Sequence, residues 1–186
     1  MMHHIRPYQI FQHLGSDNKV SLTIPTQPGT ESLTVFSIET QLLIAVARII
    51  GVKSILELGT GLGYTAMHLA QNTVAEIQTV DLVKKRTVFR ELDCKARIEQ
   101  INTPVGNVSP RPMDMVFCDI NPTLAMCRIC TDLAFGCKPR VIAWHDYKNF
   151  DYPAQTENMD GLAMSHNIYH VEDTRLCFWF EDGREF

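Results

Sequence analysis

Ile55-Leu56-Glu57-Leu58-Gly59-Thr60-Gly61-Leu62-Gly63-Tyr64 is the stretch of this chain whose residue types and spacing say most about chemistry. An apolar run, Val52 to Leu58, carries one acid near its end. Three glycines then alternate through a tight loop, ahead of a short helical stretch, Thr65 to Ala70. Glycine has no Cβ, so such a loop lets a ligand lie against bare backbone. The helix behind it offers free N–H groups and partial positive charge. Loops of this kind bind nucleotides or nucleoside-like cofactors. Further polar residues close later apolar runs. Asp81 follows Gln78-Thr79-Val80, Asn102 ends a short β-rich run, Asp119 follows Met115-Val116-Phe117-Cys118, and His145-Asp146 follows Val141-Ile142-Ala143-Trp144. In open α/β sheets, ligands sit beyond the carboxyl ends of the strands. That rule gathers the scattered residues into one site.

Two cofactor classes compete for the loop. Gly61-Leu62-Gly63-Tyr64-Thr65-Ala66 satisfies the loose dinucleotide pattern G-x-G-x-x-A. A dinucleotide brings a pyrophosphate, which a carboxylate at Glu57 would repel. S-adenosylmethionine has no phosphate and carries a sulfonium and an ammonium, so an acid just before the first glycine suits it. The string resembles the E/D-x-G-x-G-x-G motif of class I S-adenosylmethionine-dependent methyltransferases. That resemblance implies a cofactor site at Glu57, Gly59, Thr60, Gly61 and Gly63. Asp81 lies near the ~20-residue spacing at which an acid meets ribose hydroxyls, and one carboxylate can accept from both. Read without the loop, Glu57 is a strand-end acid that caps a neighbouring loop and Asp81 is a helix cap. The resemblance further implies that Leu82 flanks the adenine, that Asn102 or a neighbour edges it, and that Asp119 faces the reacting methyl group. The loop Thr103 to Pro112 departs from the family pattern by lacking an acid.

His145 is the candidate general base, because histidine near neutral pH can take a proton from a hydroxyl or amine. Read alone, it is a hydrogen-bonded structural residue. Val141-Ile142-Ala143-Trp144-His145-Asp146-Tyr147 resembles the "HDY" element of a family of small bacterial methyltransferases, many of which act on sugars or other small metabolites. A second resemblance is to catechol-type O-methyltransferases. There an acid ends the fourth strand, an Asp-Asn pair ends the fifth, and all three hold a magnesium ion that lowers the pKa of the substrate hydroxyl. Asp119 and Asp146 match two of those ligands, which makes them the metal candidates and Mg²⁺ the candidate ion. Tyr147 stands where asparagine is expected. Phe36-Ser37-Ile38-Glu39-Thr40-Gln41 sits where both families place a helix closing over the methionine end of the cofactor. The resemblance runs from about Ser37 to the C-terminus.

These residues need a scaffold, and the pattern of the chain supplies one. Ile38, Leu42, Leu43, Val46, Ile49 and Ile50 recur at helical spacing after Ser37, with Gly51 as the stop. Glu76 to Asp81, Arg97 to Ile101, Met113 to Ile120 and Arg140 to Trp144 read as strands, with helices at Lys84 to Lys95 and Leu124 to Cys137. Such alternation implies a parallel sheet with helices on both faces. Asn167 to Val171 and Leu176 to Phe180 are too close together for anything but an antiparallel hairpin. The expected fold is therefore α/β, Rossmann-like and doubly wound: a mostly parallel seven-stranded sheet with an antiparallel C-terminal hairpin. Residues 1–186 read as a single domain, with 1–36 a loop-rich N-terminal cover outside the sheet and 37–186 the cofactor-binding core.

Composition narrows the function. With 186 residues, 45% hydrophobic and 20% charged, the chain is an ordinary globular one, and a net charge of −4 leaves no basic footprint for nucleic acid. Asp119-Ile120-Asn121-Pro122 is only a partial echo of the Asn-Pro-Pro-Tyr motif for flipped bases. No apolar run approaches the ~20 residues of a membrane span. Six cysteines without a secretory signal suggest reduced thiols in a cytoplasm. Cys127, Cys130 and Cys137 lack the partners a zinc shell needs. The expectation is methyl transfer from S-adenosylmethionine to oxygen or nitrogen of a small molecule, with His145, Asp146 and Asp119 as the catalytic set. The cover over the acceptor side is small, which leaves room for a large acceptor or for completion by a homodimer. The alternatives are a nicotinamide-dependent oxidoreductase using the same loop and a cofactor-binding protein without activity.

Overall fold

The computed structural model describes residues 1–14, 37–83, 87–91, 93–120 and 123–183. The turn formers of 15–36, the start of the expected helix at 84–86, and the Asn121-Pro122 pair lie outside them. The chain opens with a strand, β1 (Met2–Ile5), and a short helix, α1 (Pro7–Gln12). Helix α2 (Ser37–Ile50) buries Leu42, Leu43, Val46 and Ile50. It stops at Gly51, whose φ of +68° glycine adopts without strain. There the Gly51 and Val52 N–H groups donate back to Arg48 and Ala47 carbonyls, both at 3.0 Å.

Strand β2 (Ser54–Leu58) then feeds the glycine loop and α3 (Tyr64–Asn72), followed by β3 (Glu76–Asp81) and β4 (Ile98–Asn102). The remaining elements are β5 (Met115–Cys118), α4 (Leu124–Gly136), β6 (Val141–Trp144), α5 (Pro153–Leu162), β7 (Ile168–Val171) and β8 (Cys177–Phe180). They form one sheet in the order β1-β7-β8-β6-β5-β2-β3-β4. Only β8 runs antiparallel to its neighbours. The doubly wound sheet with its closing hairpin is thus as expected, but it has eight strands, not seven.

The extra strand comes from the segment read as loop-rich cover. Residues 2–5 pair in parallel with β7, from Met2 opposite Ile168 to Ile5 opposite Val171. Met2-His3-His4-Ile5 has little strand propensity. What recruits it is the free edge of β7, whose N–H and C=O groups need partners. The second difference is at Lys84 to Lys95. Among the described residues this stretch forms two 3₁₀ turns, Val88–Glu91 and Asp93–Arg97, and no α-helix. Phe89 is pulled into the core against α3, and a Cβ on Gly63 would lie 2.6 Å from its ring. That anchor tightens the turn. Helix α5 had no expected counterpart, because its sequence is polar and only Gln155, Asn158 and Met159 are buried.

Alternation along the strands divides the core between two faces. Ile55, Met115, Phe117, Val141 and Ala143 point one way, onto α2 and α3; Leu56, Val116, Cys118, Ile142 and Trp144 point the other way. The second face carries Cys130, Leu133 and Met159 of α4 and α5. All six cysteines are buried and unpaired as disulfides. No described helix is long and apolar enough to cross a membrane.

Register places the site. At the lower edge, the Asp114 carboxylate accepts from the N–H groups of Lys53 (2.7 Å) and Ser54 (3.0 Å), locking β2 against β5. At the upper edge, Leu58 lies opposite both Val80 and Cys118, Cys118 opposite Trp144, and Asp81 opposite Asn102. The next residues, Gly59, Asp119 and His145, therefore leave the sheet side by side. Gly59 sits at φ +106°, and a Cβ there would stand 2.4 Å from the Asp119 carbonyl oxygen. Gly59→Ala should cost about 2–4 kcal/mol, combining an unfavourable φ with a backbone collision. Urea unfolding measures it; an unchanged midpoint would show that the loop has room to shift.

Candidate functional site

The site has two halves, one on each side of the Gly59–Asp119 crossing. The first contains the glycine loop. Gly61 has φ +51°, and its N–H donates to Asp81 Oδ2 at 3.1 Å. The Val83 N–H donates to the other oxygen, Oδ1, at 3.1 Å. Asp81 thus ends β3 as a partly exposed carboxylate bound to the loop backbone, beside the exposed side chains of Leu82 and Asn102. These are the positions expected for ribose and adenine contacts. A carboxylate, an apolar side chain and an amide at the ends of β3 and β4 form a set that fits a nucleoside.

The three glycines have different reasons to be glycine. Gly59 makes room for Asp119, and Gly63 makes room for Phe89 and Thr87. Gly61 is the one that meets Asp81. Thr60 does not turn outward either. Its hydroxyl is buried 2.7 Å from the Thr79 hydroxyl, and Thr79 donates to Glu57. Since Thr79 has a single proton to give, Thr60 must donate to it.

Glu57 therefore corrects an expectation. It was read as a charge facing the cofactor, but its side chain is buried under the loop. Burial pushes its carboxyl up to about 8, with help from Asp119 and Asp81, against the opposing Thr79 hydroxyl and Ala66 N–H. At neutral pH it is mostly a neutral hydrogen-bonding group that fixes the loop.

The second half gathers the acids. His145 leaves β6 with its N–H on the Cys118 carbonyl at 3.0 Å. Its Nδ1 lies 3.0 Å from Asp119 Oδ1 and 3.4 Å from Asp146 Oδ1, and its Nε2 lies 3.1 Å from Glu39 Oε2. Asp146 takes a left-handed φ of +65°, a conformation aspartate tolerates, and accepts the Asn149 amide at 2.6 Å. Arg175 Nη1 stands 3.8 Å from the same oxygen. Glu39, on α2, also accepts the Arg175 backbone N–H at 2.7 Å, tying that helix to the turn between β7 and β8. Sequence reasoning placed Glu39 only within the stretch that closes over the methionine end of the cofactor; an acid in an otherwise apolar helix was the available signal.

Burial alone would lower the pKa of His145, but Asp119, Asp146 and Glu39 hold it well above its usual value. Both ring nitrogens thus face carboxylates. Asp119 is raised by burial, relieved by His145, and raised again by Asp146 and Glu39. The Asp119 side chain keeps 26% of its surface, against 8% for His145 and Asp146 and 1% for Glu39, so Asp119 alone can touch a ligand.

The expected metal candidates, Asp119 and Asp146, come together with His145 beside them. Ligand atoms of Asp119, His145 and Asp146 lie within 4.8 Å of one another. Tyr147, in the position of the expected third ligand, sends its hydroxyl to Asp160 at 3.0 Å.

The neutral carboxyl of Glu57 has a pH signature. A folded value of about 8 against an ordinary 4.5 means that the folded chain holds the proton more tightly. The stabilisation is full below the unfolded value and is lost as pH rises through the folded one. Glu57→Gln keeps the shape and the Thr79 bond but cannot ionise. Its unfolding free energy should stay flatter between pH 5 and pH 9, gaining about 2–4 kcal/mol on the parent over that range. Parallel slopes in urea titrations would refute the assignment.

No protein-family model and no curated protein sequence matches the chain. Solved structures do. A methyltransferase from Podospora anserina, bound to S-adenosylhomocysteine, matches with a TM-score of 0.66 at 18% identity over 81% of each chain. An O-methyltransferase from Streptomyces achromogenes, involved in tomaymycin synthesis and bound to S-adenosylmethionine, matches at 0.60 and 17% identity, over 81% of this chain and 82% of that one. An O-methyltransferase from Bacillus cereus with S-adenosylhomocysteine gives 0.59 at 14% identity, over 94% of this chain and 90% of that one. Together with the strand order, these matches establish that the chain has the fold of the class I S-adenosylmethionine-dependent methyltransferases.

Proposed function

We propose that this protein transfers a methyl group from S-adenosylmethionine to an oxygen or nitrogen of a small-molecule acceptor. The observation that carries this reading is the Asp81 carboxylate, held by the Gly61 N–H at 3.1 Å beside exposed Leu82 and Asn102 at one sheet edge. That arrangement suits a ribose diol and a flanking base. The structural neighbours bound to S-adenosylmethionine or S-adenosylhomocysteine support the choice of nucleoside. Net charge of −4 favours a small molecule over nucleic acid.

When bound, S-adenosylmethionine supplies an electrophilic methyl on its sulfonium, so the protein's task is mainly alignment. Asp81, Gly61, Leu82 and Asn102 hold the nucleoside end. Asp119, next to Gly59 and open to the cleft, accepts a hydrogen bond from the acceptor's hydroxyl or amine. Its raised proton affinity makes it a better proton acceptor than an ordinary aspartate. His145 in this reading is not the base: its ring nitrogens face Asp119 at 3.0 Å and Glu39 at 3.1 Å, and it orients Asp119 and Asp146.

Asp81→Ala should weaken S-adenosylhomocysteine binding at least tenfold, from the loss of charge-assisted hydrogen bonds worth about 1.5–3 kcal/mol each. Calorimetry on the folded variant reads it. An unchanged dissociation constant, or parent protein that binds NADH in preference, would overturn the cofactor assignment.

A further inference from the structure

We propose that the groove between helix α5 and the loop after β6 holds the body of the methyl acceptor, and that this body is bulky and apolar rather than a sugar. The inference rests on the methyltransferase reading and names the acceptor class for it. The groove has a volume of about 960 Å³. That falls within the ~300–1,000 Å³ of small-molecule sites, which are mostly apolar with a few fixed polar groups. Phe150, Pro153 and Met164 supply apolar walls, and Gly161 leaves room between them, since no neighbouring group lies within 4 Å of a Cβ there. Phe150 and Met164 are the two most exposed large apolar side chains among the described residues. Two such side chains on one groove mark a surface that is covered in use.

Polar groups along the groove are engaged with the protein itself. The Lys148 N–H donates to Thr156 Oγ1 at 2.9 Å, the Tyr147 hydroxyl to Asp160 Oδ1 at 3.0 Å, and the Asn149 amide to Asp146 Oδ1 at 2.6 Å. The Lys148 ammonium lies over the Tyr147 ring, 5.3 Å from its centre. A sugar would want a partner for each hydroxyl, and each bond left unmade costs desolvation free energy. An apolar body makes no such demand. The same three hydrogen bonds pin the loop, so the wall is formed before a ligand arrives. Asn149 joins the groove to the site: it lines the groove, yet is buried with its amide on Asp146. The carboxylates of Asp146 and Asp119 come within 4.8 Å of one another. A flat apolar acceptor lying past Asn149 thus brings a hydroxyl or amine at its end toward Asp119, the partly exposed acid of the cluster.

2-Naphthol is the probe, followed by its fluorescence on the full chain at neutral pH, with naphthalene as the control that lacks the hydroxyl. The parent should bind 2-naphthol at a single site, roughly threefold or more tightly than naphthalene, the hydroxyl adding one hydrogen bond. Gly161→Leu puts a side chain into the groove at a helical position that tolerates it. It should weaken 2-naphthol binding about tenfold or more. Should Gly161→Leu not fold, Met164→Asp carries the same expectation. Asp119→Ala should keep naphthalene binding and lose the preference for the hydroxyl. The inference is overturned if the parent does not bind 2-naphthol, or if the folded groove variant binds it as the parent does. It is equally overturned if the hydroxyl preference survives in Asp119→Ala, since the groove would then lead elsewhere. Light scattering tests the other occupant: a parent dimer that excludes 2-naphthol and that Phe150→Asp dissociates would give the groove to a second copy. S-adenosylhomocysteine calorimetry on the same samples keeps the two readings apart. A parent that binds 2-naphthol but not S-adenosylhomocysteine fails the methyl-transfer reading and leaves an apolar site; one that binds S-adenosylhomocysteine but not 2-naphthol fails this inference alone.

Discussion

The carbonyl oxygen of Asp119 passes so near Gly59 that a Cβ would stand 2.4 Å from it, and the geometry of the site follows from that crossing. Strands β2 and β5 are parallel neighbours, yet the chain leaves them in opposite directions. From β2 it winds through α3 to β3; from β5 it winds through α4 to β6. A crevice opens where a doubly wound sheet reverses in this way. The ladder continues past the strand ends on both sides, with the Gly59 N–H on Val80 and the Asp119 N–H on Leu58, both at 2.8 Å. A larger residue at position 59 would part the strands where the two halves of the site must meet.

The glycine motif accordingly serves the fold as much as a ligand. Two of its glycines admit neighbouring protein atoms, Asp119 in one case and Phe89 in the other. Its acid is turned under the loop into a buried relay, Thr60 to Thr79 to Glu57, which holds the loop from below. Preorganisation of this kind matters because a nucleoside can only be recognised by backbone that is already in place. A motif that reads as a list of ligand contacts is here largely the frame for one such contact, the Gly61–Asp81 pair.

Most of the frame was legible because hydrophobic periodicity reports burial, and burial is what parallel strands share. The glycine loop, the five strand ends and the closing hairpin all carried that signal. Features that depend on partners distant in sequence did not. β1 exists because β7 has an open edge, and nothing within Met2 to Ile5 says so. The 3₁₀ turns after Thr87 depend on where Phe89 finds a pocket, and α5 is nearly all polar. Among site residues, Asp81 stands where its spacing put it, but Glu57 was assigned the wrong direction, because a strand-end acid can face the ligand or the layer beneath with the same local sequence. Glu39 and His145 show the same limit. Their meaning is their mutual contact across more than half the chain, which no local pattern encodes.

That contact also bears on what an acceptor must look like. Buried carboxylates persist only when partnered, and here the groups facing them are His145 and Arg175. An enzyme with a metal in this position can grip a substrate by chelation, which selects paired oxygens. Here both ring nitrogens of His145 face the protein's own acids, at 3.0 and 3.1 Å. What the cluster offers outward is one carboxylate, Asp119, partly exposed and raised in proton affinity by its burial. On the proposed methyl-transfer reading, the matching acceptor is a hydrogen-bond donor, a hydroxyl or amine. Selectivity then depends on how well that single donor can be aimed past Gly59, and the crossing that orders the fold also orders the chemistry.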